Sequence, residues 1–262
     1  MLSCNHLFYY PDQQLYLTPE KMKLTYSEKI LHLDQDEVDL TLWVMSRQSE
    51  KNANTVVLHF HGNAENMSSH FLFTAWLVKE GFDLVTMDYR GYGKSTGTPS
   101  REGLVSDAIA TIDWVRAAYP QKRLVVVGQS LGGAVAIPAL VRSKSKVDAL
   151  VIESSFDSYR KIAREKLSNI WLTWPLQWPL SFLVSDSLSP VDDAGKIKIP
   201  VLDIHGEEDP VVPIAAGEKL FKALGSKNKE FWKISKAGHT PLVGQPTEPY
   251  RQELLNFLMG KS

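Results

Sequence analysis

Cysteine is almost missing from this chain: Cys4 is the only one in 262 residues. That excludes an internal disulfide framework and a cysteine metal site. Net charge is nearly missing too, at a formal -1, so no strong overall field draws the protein to nucleic acid or to an anionic membrane. No apolar run approaches the ~20 residues that a bilayer-spanning helix needs. No repeat, low-complexity tract or linker divides the sequence. What remains is an ordinary globular composition, 44% hydrophobic and 23% charged. It fits one large α/β domain with a substantial core, or two small ones.

Cys4 itself reads as a free thiol near a frayed terminus in a soluble, cytoplasmic protein. Leu2-Ser3-Cys4 also resembles the end of a bacterial lipoprotein signal without its apolar region. On that resemblance the alternative is membrane anchoring through a lipid on Cys4.

The most informative stretch is Leu124–Arg142. Apolar β-formers from Leu124 to Val127 run into Gly128-Gln129-Ser130-Leu131-Gly132-Gly133, and a helical pattern of small residues follows. The order is strand, sharp turn, helix, with G-x-S-x-G at Gly128, Ser130 and Gly132. Such a turn strains the serine backbone and aims its hydroxyl out of the sheet. The helix start behind it offers free N–H groups to developing negative charge. Pro138 is expected to kink or end that helix. A Gly-rich strand-to-helix turn occurs in many α/β proteins, so the motif needs a base, an acid and an oxyanion hole elsewhere.

In chain order, Lys29–Leu33 and Val38–Met45 flank the polar turn Asp34–Glu37 and read as an antiparallel hairpin. Thr55–Phe60 is a buried-type strand ending in His61-Gly62-Asn63-Ala64-Glu65-Asn66. Ser68 or Ser69 is positioned to cap a helix running to about Glu80. Phe82–Met87 is a strand that enters Asp88-Tyr89-Arg90-Gly91-Tyr92-Gly93-Lys94-Ser95. Glu102–Tyr119 has amphipathic helical spacing. After the central unit come strands at Val147–Ile152, Ile199–His205 and Glu230–Ile234, and helices at Ala215–Leu224 and Tyr250–Met259. Strands alternating with helices predict a mainly parallel sheet covered on both faces, with an antiparallel hairpin ahead of it.

A serine hydroxyl needs a general base, and the base needs an orienting group. His239, in Lys236-Ala237-Gly238-His239-Thr240, follows the last strand and should emerge at the sheet edge where Ser130 lies. Asp203, Glu207, Glu208 and Asp209 crowd one strand end. Asp209, followed by Pro210 and Val211-Val212-Pro213, is the expected orienting acid; Asp203 reads as structural, Glu207 and Glu208 as solvated. One oxyanion donor is expected at the N–H of Leu131. The other is expected at Asn63, with Ala64 as its neighbouring alternative. His59-x-His61 lacks a third ligand and reads as structural, so no metal is expected. Gly91, Gly93 and Gly97 have the wrong spacing for a dinucleotide turn, so no cofactor is expected.

Taken together, these motifs resemble the α/β-hydrolase superfamily. The likeness is greatest to the lysophospholipase-like and depalmitoylase-like branch, which carries His-Gly-Asn-Ala and Asp-Tyr-Arg-Gly-Tyr-Gly-x-Ser loops. It rests on His61–Ala64, Asp88–Ser95, Gly128–Gly132, His205–Pro213 and Gly238-His239. That branch often has Gly where this chain has Glu65. The resemblance implies a serine hydrolase acting through an acyl-enzyme on Ser130.

The expectation is a single domain over residues 1–262 with a short cap at about 156–190. Its reaction is hydrolysis of small-molecule carboxylic esters, with thioesters or lysophospholipids as alternatives. A catalytically silent hydrolase fold used for binding is the alternative of another class. Trp171, Trp174 and Trp178 of the cap, with Ala64, are the candidate acyl-contacting residues.

Overall fold

The computed structural model describes residues 8–46, 54–168, 176–241 and 249–261. Cys4, Trp171 and Trp174 lie outside the described residues. A two-residue strand, β1 (Tyr10–Pro11), comes first. β2 (Tyr26–Leu33) and β3 (Val38–Met45) form the expected hairpin, with β2 beginning three residues earlier than the sequence suggested. β4 (Thr55–Phe60) is followed by another two-residue strand, β5 (Ala64–Glu65), which pairs with β1. β6 (Asp83–Met87), β7 (Arg123–Gln129), β8 (Ala149–Glu153), β9 (Val201–Gly206) and β10 (Lys229–Ile234) complete the set.

Eight strands make one sheet in the order β10-β9-β8-β7-β4-β6-β3-β2. Pairing from β10 through β6 is parallel, and β3 joins β6 and β2 antiparallel. The predicted mainly parallel sheet with an antiparallel hairpin is what forms.

Alternation along the strands sends side chains to two separate cores. Val56, Leu58 and Phe60 of β4 pack on one face, with Leu124 and Val126 of β7 and Leu150 and Ile152 of β8. Val57, Val125, Ala149 and Val151 pack on the other. Four short or long helices precede the turn to the chain's second half: α1 (Met67–His70), α2 (Trp76–Lys79), α3 (Arg101–Ala118) and α4 (Leu131–Arg142). α5 (Tyr159–Ser168), α6 (Gln177–Ser181), α7 (Pro190–Ala194), α8 (Ile214–Ala223) and α9 (Tyr250–Met259) follow. α3, α4 and α8 cover the first core; α1, α2 and α9 cover the second. Burying a Val, Leu or Phe side chain this way contributes roughly 1.5–3 kcal/mol.

Three local expectations are corrected. The helix after β4 is capped by Asn66, not Ser68 or Ser69: its Oδ1 accepts the Ser68 N–H at 2.9 Å. That helix is also broken, with a tight turn at Phe71–Phe73 between α1 and α2. Thr74 donates its hydroxyl to the Phe71 carbonyl (3.4 Å), which competes with a regular helical ladder. Of the two outcomes expected of Pro138, ending the helix does not occur: α4 continues to Arg142. Every residue from Leu131 to Ala139 is buried, and packing of that kind sustains a helix against one missing N–H.

Candidate active site

The parallel strands deliver their carboxyl ends to one edge of the sheet, and the chemistry-bearing residues follow directly. His61–Ala64 follows β4, Asp88 follows β6, Ser130 follows β7, Ser154 follows β8, Asp209 follows β9, and His239 follows β10. In an open α/β sheet this edge is where sites form.

Ser130 has φ +52° and ψ -112°, a backbone conformation that few L-residues adopt. The surrounding structure holds it there. Its N–H donates to the Glu153 carbonyl at 2.8 Å, and its own carbonyl accepts Ser155 Oγ at 2.8 Å. The glycine at 132 is required by close approach: a Cβ there would sit 2.0 Å from the Phe60 carbonyl oxygen. A Cβ at Gly62 would lie 3.9 Å from Ser130 Cβ, so the loop after β4 runs beside the elbow. Leu131 opens α4, and N–H groups of a first helical turn have no acceptor within the helix.

Asp209 and His239 are brought together. His239 Nδ1 lies 2.7 Å from Asp209 Oδ2, with the carboxylate buried and the imidazole partly open. The other carboxylate oxygen, Oδ1, accepts the N–H groups of Val211 (2.7 Å) and Val212 (2.9 Å). Burial pushes the Asp209 carboxyl up, but the bonds from His205, His239 and Val212 outweigh it and hold the group well below the usual carboxylate range. Glu207 and Glu208 are exposed, as expected. No hydrogen bond joins the Ser130 hydroxyl to His239 among the described residues. The loop after β8 lies between them: Thr240 N–H donates to Ser154 Oγ at 3.1 Å, and Ser155 Oγ donates to the Ser130 carbonyl. Lys236 and Thr240, on either side of His239, both take left-handed φ angles.

Sequence reasoning missed His205 as a partner of the acid. Its side chain is fully buried, with Nε2 2.9 Å from the Val212 carbonyl and 3.4 Å from Asp209 Oδ2. It pins the turn that presents Asp209. Burial lowers its pKa, but the bonds to Asp209 and Val212 and the charge of Asp203 raise it overall. Asp203 is fully buried, and neither of its oxygens has a hydrogen-bond partner among the described residues. Burial pushes its pKa up to about 7.

The His61–Ala64 loop is braced from two sides. Tyr92 Oη donates to Asn63, with its carbonyl and Oδ1 both 2.9 Å away, and Tyr89 Oη donates to the His61 carbonyl at 3.2 Å. His61 Nδ1 lies 2.8 Å from the Gly62 carbonyl, a bond within its own loop. Asp88 accepts the Met67 N–H at 2.7 Å, and Arg90 forks onto buried Asp107, so both residues brace the loop. From the other side comes the amino-terminal segment, which the sequence did not flag. Asn63 Nδ2 donates to the Phe8 carbonyl (2.6 Å), and Tyr10 N–H donates to Asn63 Oδ1 (3.3 Å). Asn66 Nδ2 donates to the carbonyls of Asp12 and Gln14, and Tyr16 N–H to Ser68 Oγ. The Asn63 side chain is thus committed to structure.

Glu65 has φ +59°, the left-handed region that favours glycine. Ala64 is exposed on the same loop. Trp178 is exposed on α6, with the Arg164 guanidinium 3.6 Å from its ring centre. His59 and His61 each have their own neighbours; His59 Nδ1 lies 3.4 Å from Thr74 Oγ1, and burial holds its pKa well below the usual value. A cavity lined by His59, Thr74, Val127, Gln129, Val151 and Leu254 lies under the elbow, on the α2–α9 face.

A family model described as Serine aminopeptidase, S33 (Hydrolase_4) matches residues 51–189 and 183–245. The uncharacterized protein YfhR of Salmonella typhi is 34% identical over 96% of this chain and 86% of its own length. The lysophosphatidylserine lipase ABHD12 of Macaca fascicularis is 34% identical over 64% of this chain and 45% of its own. Among solved structures, an esterase of Pyrococcus furiosus, Pf2001, superposes with a TM-score of 0.76 at 23% identity, covering 95% of this chain and 98% of the other.

Proposed function

The chain belongs to the Serine aminopeptidase, S33 family of α/β-hydrolases, and from that membership we propose that it hydrolyses carboxylic esters through an acyl-enzyme on Ser130. Ser130 Oγ attacks the acyl carbonyl. His239 takes the proton and later gives it to the leaving alcohol. Asp209 fixes the imidazole and stabilises the imidazolium without accepting the proton. The N–H groups of Leu131 and Asn63 receive the oxyanion. Water then releases the acid, and no cofactor enters. One domain carries the reaction, with a cap over about 156–190 that contributes Trp178 beside the acyl chain.

The observation that carries this reading is the 2.7 Å contact between His239 Nδ1 and Asp209 Oδ2 at the edge where a strained Ser130 emerges. It leaves Nε2 of the imidazole as the base. His239 must close onto the hydroxyl as substrate arrives, and catalytic hydrogen bonds commonly tighten at that stage.

Lysophospholipids are the second reading, favoured by the similarity to a lysophosphatidylserine lipase. The test is a fluorophosphonate probe followed by p-nitrophenyl esters of increasing chain length. Wild type should label and Ser130→Ala should not. A chain that never labels and is inactive on esters and thioesters alike would instead be a silent hydrolase fold used for binding.

A further inference from the structure

Nine large apolar side chains are exposed among the described residues, and four of them fall within eight positions: Leu176, Trp178, Phe182 and Leu183. They are 52%, 57%, 62% and 66% exposed. Scattered apolar exposure needs no explanation, but a contiguous patch does. This patch is formed by α6 and the turn after it, and α6 packs against α5. From Leu167 to Ser185 the sequence contains no charged residue.

The neighbouring helix has the opposite character. α5 carries Arg160, Lys161, Arg164 and Lys166 against a single acid, Glu165. Two of the cations border the apolar rings directly. The Arg164 guanidinium is 3.6 Å from the Trp178 ring centre, and that of Arg160 is 5.4 Å from the Phe182 ring centre. Lys161 pairs with buried Asp157, and Lys166 is exposed. Exposed rings and aliphatics rimmed by cations make the pattern of a surface that lies in a lipid interface. No described helix is long and apolar enough to cross a membrane, so the geometry fits lying on one.

We infer that the α5–α6 surface docks on an anionic lipid bilayer, with Phe182, Leu183 and Trp178 at the acyl boundary and the α5 cations against headgroup phosphates. The formal charge of the whole chain is only -1, so the attraction is local to this face. The inference does not need Ser130 to be a nucleophile. One extension does rest on the esterase reading. The α5–α6 segment leaves the sheet just beyond Ser155, which is bonded to Ser130, so docking favours lipid esters as the substrate class.

The test is co-sedimentation of the full chain with vesicles of phosphatidylcholine alone or mixed with phosphatidylglycerol. Binding should favour the anionic vesicles and weaken with added salt. Phe182→Glu with Leu183→Glu, and separately Lys166→Glu, should each weaken it about tenfold or more. Melting temperature and hydrolysis of a short soluble ester should stay unchanged, which separates docking from catalysis. Failure to bind either vesicle overturns the inference. So does binding that ignores both lipid charge and these substitutions. Self-association in the absence of lipid, abolished by the Phe182 and Leu183 changes, would assign the face to a second copy and overturn it equally.

Discussion

Asp209 and His239 come from the ends of two neighbouring strands, thirty residues apart, and meet at 2.7 Å. One carboxylate oxygen is fixed by the N–H groups of Val211 and Val212, which leaves the other aimed at the imidazole. Asp209→Asn keeps the shape but presents an amide that can hold the wrong tautomer. Expect kcat to fall about 10⁴-fold with little change in KM. Steady-state kinetics on a p-nitrophenyl ester read this directly, and a tenfold change or less would remove Asp209 from the mechanism.

Gly132→Ala should damage the fold as well as the reaction. The added Cβ would stand 2.0 Å from a backbone oxygen of β4, so backbone must move. A loss of about 3 kcal/mol or more is expected, measured by urea unfolding, together with loss of fluorophosphonate labelling.

Asp203 gives a pH signature. Its carboxyl ionises near 3.8 ordinarily and near about 7 in the buried site. The folded protein therefore holds a proton that the unfolded chain has released. The Asp203 contribution to stability is full below about 4 and is lost as pH rises toward about 7. Asp203→Asn removes this dependence, so its melting temperature should gain on wild type across that window. A difference that stays constant from pH 4 to pH 8 contradicts the assignment.

Asp107→Ala strands the Arg90 guanidinium, whose side chain is only 10% exposed. The loop from Asp88 to Ser95 would lose its anchor, although Asp36 still reaches Arg90 at 2.7 Å. Expect a destabilisation of about 3 kcal/mol, at the lower end for a broken buried pair, in chemical denaturation.

Legibility followed locality. β4, α9 and the Leu124–Arg142 unit were readable because apolar period and turn chemistry sit within one short window. The placement of Ser130, Asp209 and His239 at one edge of the sheet was readable because each follows a strand whose end was evident. The long-range ties were hidden. Nothing near His205 says that its imidazole reaches Val212, since that depends on how β9 and the following turn fold back. Nothing in Phe8–Tyr16 says that it bonds to Asn63 and Asn66, more than fifty positions away. The Asn66 cap was missed because two serines stood nearby, and the choice was made by an extended backbone that only the tertiary fold imposes.

The bonds from Phe8 and Tyr10 reach Asn63 in the loop beside the Ser130 elbow, and those from Asp12, Gln14 and Tyr16 reach Asn66 and Ser68 just after it. The chain's beginning is therefore mechanical hardware for the cleft. Trimming those residues, or hauling on them with a surface tether or bulky fusion, would slacken the loop that runs beside the Ser130 elbow.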